Sequence, residues 1–201
     1  MATTQQSESQ EQGQQQSIVQ NRSNDQLQLW PFVPLTTGGW TMSDPQLSQV
    51  YNQTVVERLD GIVFWEGGIT SAEDFIAFCK RKNIVMTFMF LGGQVVGYSW
   101  LGGISGNYAF GHFCLFRSIW GKKTKQIGKM VLDYWMGFES NNGFPLFDVI
   151  VGVMPKFNVR AHAFAAAIGL TKLGTIPGMF RNTKRDRDDA VIYYLSRTGH
   201  G

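Results

Sequence analysis

Between Arg117 and Lys129 the chain reads Arg-Ser-Ile-Trp-Gly-Lys-Lys-Thr-Lys-Gln-Ile-Gly-Lys, five basic residues and no acidic one. It follows an apolar run of strand length, Phe113 to Phe116. It precedes Ile127, Met130, Val131, Tyr134, Trp135 and Phe138, which recur at helical spacing. Amides at a helix start point outward without partners, and the helix dipole adds positive potential there. A glycine lets a phosphate approach the backbone, and lysines neutralise its charge. The stretch is therefore a candidate pyrophosphate cradle, built from Lys122, Lys123, Lys125, Lys129 and the amides of Gln126, Ile127 and Gly128. A solvated basic loop is the alternative for the same residues. For proton transfer the candidate is His112, which alternates with Cys114 and Phe116 on the preceding strand and is of the residue type that titrates near neutral pH. A satisfied structural histidine is the alternative. His162, beside Arg160, is expected to face solvent. Ser-His-Asp arrangements, CxxC pairs and HExxH helices are absent from the sequence, so covalent and metal mechanisms have no backing and no metal is expected.

These residues need elements to hold them. Phe147 to Met154 reads as a buried strand, and Asn158 to Ile168 as an Ala-rich helix closed by Gly169. Upstream, Ile84–Leu91 and Gln94–Leu101 flank Gly92-Gly93 as a hairpin. A second turn region, Gly102 to Asn107, leads to a strand from Tyr108 to Phe116. Ser43-Asp44-Pro45 opens a helix to about Leu59, and Thr70 or Ser71 with the acids behind it opens another that ends at Lys80-Arg81-Lys82. Ile62 to Gly68 reads either as a short extended piece or as a helix break. Leu29 to Leu35 is extended, its prolines excluding a central strand. Ala190 to Leu195 is the last strand. The mixed-charge run Arg181 to Asp189 before it is a hairpin tip or the border of a cleft.

In this order the elements resemble the GNAT family of acyl-CoA-dependent N-acetyltransferases, over roughly Thr36 to Arg197. The family's cofactor loop, Gln/Arg-x-x-Gly-x-Gly/Ala at a helix start, is matched by Lys123, Gln126 and Gly128, with Gln in place of one small residue and a loop about two residues longer. The family's following helix begins with Asn, carries Ala three residues on and ends in Gly plus an apolar residue. Asn158, Ala161, Gly169 and Leu170 fit that register, and Thr171 to Gly178 reads like the next strand. The resemblance implies an α+β fold of three layers, with a mixed, mostly antiparallel sheet between helices. It implies acetyl-CoA as co-substrate and an amine as acceptor. It gives the main-chain amide near Phe116 the task of polarising the thioester carbonyl, and Asn158 a hydrogen bond to the pantetheine arm. His112 and Glu66 are then the catalytic candidates, with Glu57 a further acid in the region that borders the acceptor. Seven residues after the Asn the family has a Tyr that protonates the departing thiolate; here that position is Ala165. The departure supports a second reading, a catalytically degenerate binding or assembly module of the kind bacteriophages also carry.

Composition sets the limits. The chain has 201 residues, 43% apolar and 13% aromatic, with a net charge of +3. That suits one domain of ordinary size and is too little charge to indicate nucleic-acid binding, and no aromatics interleave the basic clusters. Residues 1–28 are Gln-rich and expected to be a disordered arm, either a flexible tail or an adaptor for a protein partner; 29–201 form the acyl-CoA-binding domain. Cys79 and Cys114 lie in apolar surroundings, as expected of buried thiols in a reducing compartment. No stretch has the length of a membrane span or the pattern of a signal peptide, so the expected location is the cytoplasm, or the virion or host cytoplasm if phage-encoded.

Overall fold

Alternating apolar residues and glycine turns build one seven-stranded sheet. The computed structural model describes residues 26–121, 123–181 and 187–197. The strands are β1 (Leu27–Pro31), β2 (Val85–Leu91), β3 (Gln94–Ser105), β4 (Tyr108–Leu115), β5 (Val149–Pro155), β6 (Thr171–Arg181) and β7 (Arg187–Ser196). They lie in the order β1-β2-β3-β4-β5-β7-β6, antiparallel throughout except for β4 with β5. β1 is an edge strand that ends at Pro31, where a missing N–H does no harm. Leu27 and Gln28 already pair with Leu91 and Phe90, so the strand starts two residues before the expected domain border. Residues 1–25 of the Gln-rich arm lie outside the described residues.

Helices cover both faces. On one side sit α1 (Asp44–Val56), the short α2 (Asp60–Val63) and α3 (Ala72–Cys79). Capping boxes at Ser43 and Ser71 start α1 and α3. Leu47, Val50, Tyr51 and Phe75 pack there against Phe88, Tyr98 and Cys114. The segment 62–68 resolves into the end of α2 and the loop that follows. On the other side sit α4 (Thr124–Met136) and α5 (Val159–Ile168), whose Ile127, Val131, Trp135, Ala165 and Ile168 pack against Leu101, Ala109 and Ile150. Gly102 and Gly103 do not end β3. The strand continues to Ser105 through a register shift.

Candidate functional site

The site begins where β4 and β5 part. Their parallel pairing covers only Tyr108–Phe110 with Val149–Val151. The N–H of Phe116 donates to Val96 at 2.9 Å, and the N–H of Lys156 donates to Asp189 at 2.8 Å. Strand alternation then turns the even-numbered residues of β4 toward β3 and those of β5 toward β7. Phe113, Leu115 and Val153 are left facing each other across the gap with no ladder between them. This corrects the role given to Phe116: its amide is consumed by β3, and the amides aimed into the gap are those of Phe113 and Leu115.

Asn158 stands at the mouth. It caps α5, its Oδ1 accepting from the Ala161 N–H at 3.2 Å, and Gly169 closes the helix at φ +102°. Among the described residues no acceptor reaches its Nδ2, which is left to donate. Opposite lies the basic loop. Arg117–Ile119 form one 3₁₀ turn, and α4 starts at Thr124, whose hydroxyl accepts from Gly121 N–H at 3.0 Å and donates to Ile119. The amide of Ile127 already donates to Lys123 at 3.0 Å. The outward amides are therefore those of Lys125 and Gln126, one step earlier than the sequence reading. Gly128 is buried and has another purpose. A Cβ there would lie 2.5 Å from Ile168 and 2.7 Å from Phe164, so it is the glycine that lets α4 and α5 approach. Lys123, Lys125 and Lys129 are exposed around the helix start; Lys122 lies outside the described residues.

Trp120 spans the two sides of the mouth. Its ring is 4.8 Å from the guanidinium of Arg117 and 4.8 Å from that of Arg160. Nothing in the spacing of these three residues announced the stack. Arg117 is held in turn by α1, since its N–H donates to the Glu57 carboxylate at 2.6 Å and its guanidinium to the Glu57 carbonyl at 3.0 Å. Glu57 is thereby a structural partner of the loop.

Beyond the gap the cleft widens to about 580 Å³. His112, Glu66 and Asn158 all line it, so the structure brings those three together; Phe116 and Gly128 are not among its lining residues. His112 stacks face to face on Trp100, 4.6 Å between ring centres, and burial pulls its imidazole down to about 4. It is neutral at physiological pH, an acceptor but a weak base. Glu66 is exposed at the rim. Met179 and Phe180 at the end of β6 also line the cleft, while residues 182–186 of the mixed-charge run lie outside the described residues. His162 departs from its expected solvent position. It is half-buried, with Nε2 3.2 Å from the Lys156 carbonyl and its ring stacked on Tyr193. Among the described residues no group of three or more His, Cys, Asp or Glu could hold a metal, and no helix is long and apolar enough to cross a membrane.

The architecture has close counterparts among solved structures. The spermidine N-acetyltransferase from Vibrio cholerae, solved with CoA and spermine, superposes with a TM-score of 0.66 over 86% of this chain and 96% of its own, at 14% identity. The microcin C7 self-immunity acetyltransferase, solved with acetyl-CoA and AMP, gives 0.63 over 86% and 93%, at 17% identity. The ribosomal-protein-S5-alanine acetyltransferase from Vibrio fischeri gives 0.62 over 86% and 93%, at 12%. The chain has the GNAT fold. At these identities the likeness is one of architecture. No protein-family model matches the sequence, and neither does any curated protein.

Proposed function

We propose that the chain is an acyl-CoA-dependent N-acetyltransferase that moves an acetyl group from acetyl-CoA to an amine. The observation that carries this is the gap between β4 and β5: the amides of Phe113 and Leu115 and the backbone groups of Val153 have no ladder partner across it, which suits an extended ligand with amides of its own. Asn158 Nδ2 is the donor at one end. Lys123, Lys125, Lys129 and the outward amides of Lys125 and Gln126 supply positive potential at the other, where a pyrophosphate belongs. The structures solved with CoA or acetyl-CoA on this fold support the same reading.

Acetyl-CoA would supply a thioester whose acetyl carbon bonds to the amine nitrogen as the C–S bond breaks, with CoA leaving as the thiol. The chain's residues have three tasks. The N–H of Phe113 or Leu115 polarises the carbonyl from the strand edge. His112, neutral in its stack on Trp100, accepts a proton from the attacking nitrogen. Glu66 at the rim attracts the ammonium form and passes its first proton to water. The acid for the thiolate is not at position 165, where a buried Ala stands. That feature favours the second reading, a module that binds without turnover. Titration calorimetry with acetyl-CoA, followed by thiol release in an amine screen, separates the two. Binding with release supports the enzyme, binding alone supports the module, and absence of binding overturns both.

A further inference from the structure

The acceptor end of the cleft is walled by aromatic rings that come from four separate parts of the chain. Trp65, in the loop after α2, meets Phe180 of β6 edge to face at 4.0 Å between ring centres. Trp100 lies against His112 on one side and is stacked with Phe64 at 6.1 Å and 27°. Charge is sparse. Among the described lining residues the only carboxylate is Glu66, and the guanidinium of Arg81 stands as its counterpart. A polyamine carries several ammonium groups, each of which needs a carboxylate or water in place of the solvation it gives up. One carboxylate offset by one guanidinium cannot serve them. Phe64, Trp100 and Phe180 are buried, and the half-buried Trp65 is the indole among these rings that can take up a flat apolar body and tolerate a single ammonium over it. Among the described residues no group hydrogen-bonds the His112 ring, so its nitrogen is free to accept from an amine.

From these observations we infer that the cleft binds a primary amine carried on an aromatic body, in preference to a polyamine or a peptide N-terminus. The inference deepens the acyl-CoA reading above and rests on it for the reaction. The ammonium gives one proton to water; the nitrogen forms the C–N bond to the acetyl carbon; the C–S bond breaks with its electron pair on sulfur. The second nitrogen proton passes by way of His112 to that sulfur. The products are the N-acetyl amine and the CoA thiol.

The test is titration calorimetry of phenethylamine, tryptamine, spermidine and a Ser-initiated peptide onto the full chain saturated with CoA. The two aromatic amines are expected to bind at least about tenfold tighter than the others. Trp65→Ala should weaken tryptamine by a similar factor and leave the Kd of CoA unchanged, with Trp65→Phe restoring most of the loss. Tighter binding of spermidine or peptide, or indifference of tryptamine to Trp65→Ala, overturns the inference. CoA bound and tryptamine ignored also overturns it, while the acyl-CoA reading stands. Tryptamine bound in a chain that ignores CoA supports the aromatic-amine site and overturns the acyl-CoA reading instead.

Discussion

The indole N–H of Trp120 donates to the carbonyl of Leu115 at 2.8 Å. Leu115 pairs with Gly97 of β3 but has no partner on the β5 side, so the indole satisfies a group that a bound ligand would otherwise meet. With Arg117 and Arg160 each 4.8 Å from its ring, Trp120 joins the loop before α4 to the first turn of α5. Exposed cation–π pairs are worth about 0.5–1 kcal/mol each. Trp120→Ala removes two, which amounts to a factor of about 5–30. Acetyl-CoA should therefore bind the variant faster and that much tighter, as stopped-flow and calorimetry would show. Weaker binding would mean that the indole holds the ligand.

His112 fixes an acid limit on stability. Its folded-state value of about 4 lies below the ordinary 6.5, so the unfolded chain takes up a proton first as pH falls. The sign follows: stability is full above about pH 6.5, declines between 6.5 and 4, and levels off below. The loss is on the order of 3 kcal/mol. Asp74 and Asp189, whose carboxyls are held below their usual range by hydrogen bonds from Thr70 and Gly178, contribute only at lower pH. Urea unfolding of His112→Gln across pH 4 to 7 should show a flatter profile than the native chain. An identical slope would place the acid sensitivity elsewhere.

Gly128→Ala tests packing against phosphate binding. The added methyl enters the Phe164 and Ile168 side chains, and overpacking of this kind costs about 1–3 kcal/mol, of which better helix propensity returns about 1. A fall in Tm is expected with an unchanged Kd for acetyl-CoA at temperatures where the variant is folded. Lost affinity at unchanged Tm would return the glycine to the phosphate site.

Ala165→Tyr looks from the sequence like the restoration of a missing acid. In the fold Ala165 is 1% exposed, and the neighbouring cavity is about 20 Å³, room for about one water and far too small for a phenol. A phenol there must displace Phe164 or Ile168. Destabilisation of about 1–3 kcal/mol with no gain in turnover is expected, and faster thiol release would show that the helix can shift to admit it.

Local chemistry was legible in the sequence, and assembled chemistry was not. Asn158 and Gly169 announce the ends of α5 because capping involves residues within one turn of each other. The Gly92-Gly93 hairpin is legible for the same reason. A glycine at a helix start and a glycine at a helix crossing look alike until the second helix is in place, so the packing role of Gly128 is not legible. Which amide near Phe116 faces the gap depends on strand parity, and that is set by the register with β3. The aromatic cleft could not be seen at all: Trp65, Trp100 and Phe180 have no spacing in common, and only the sheet order brings them together.

The short joint between β4 and β5 divides the sheet into two wings, β1 to β4 and β5 to β7, sewn together by three residue pairs. Other links across it include Gly128 against Phe164 and Ile168, Asn107 with Asp148, Phe113 against Phe164, Trp120 against Arg160 and Trp65 against Phe180. Wings joined by so short a ladder are expected to open as separate cooperative units. Amide protons deep in each wing would then exchange with solvent at rates of their own, and those of the joint at a common faster rate. A molecule laid along both inner edges would slow all three together, so the seam sets how firmly the two wings are coupled.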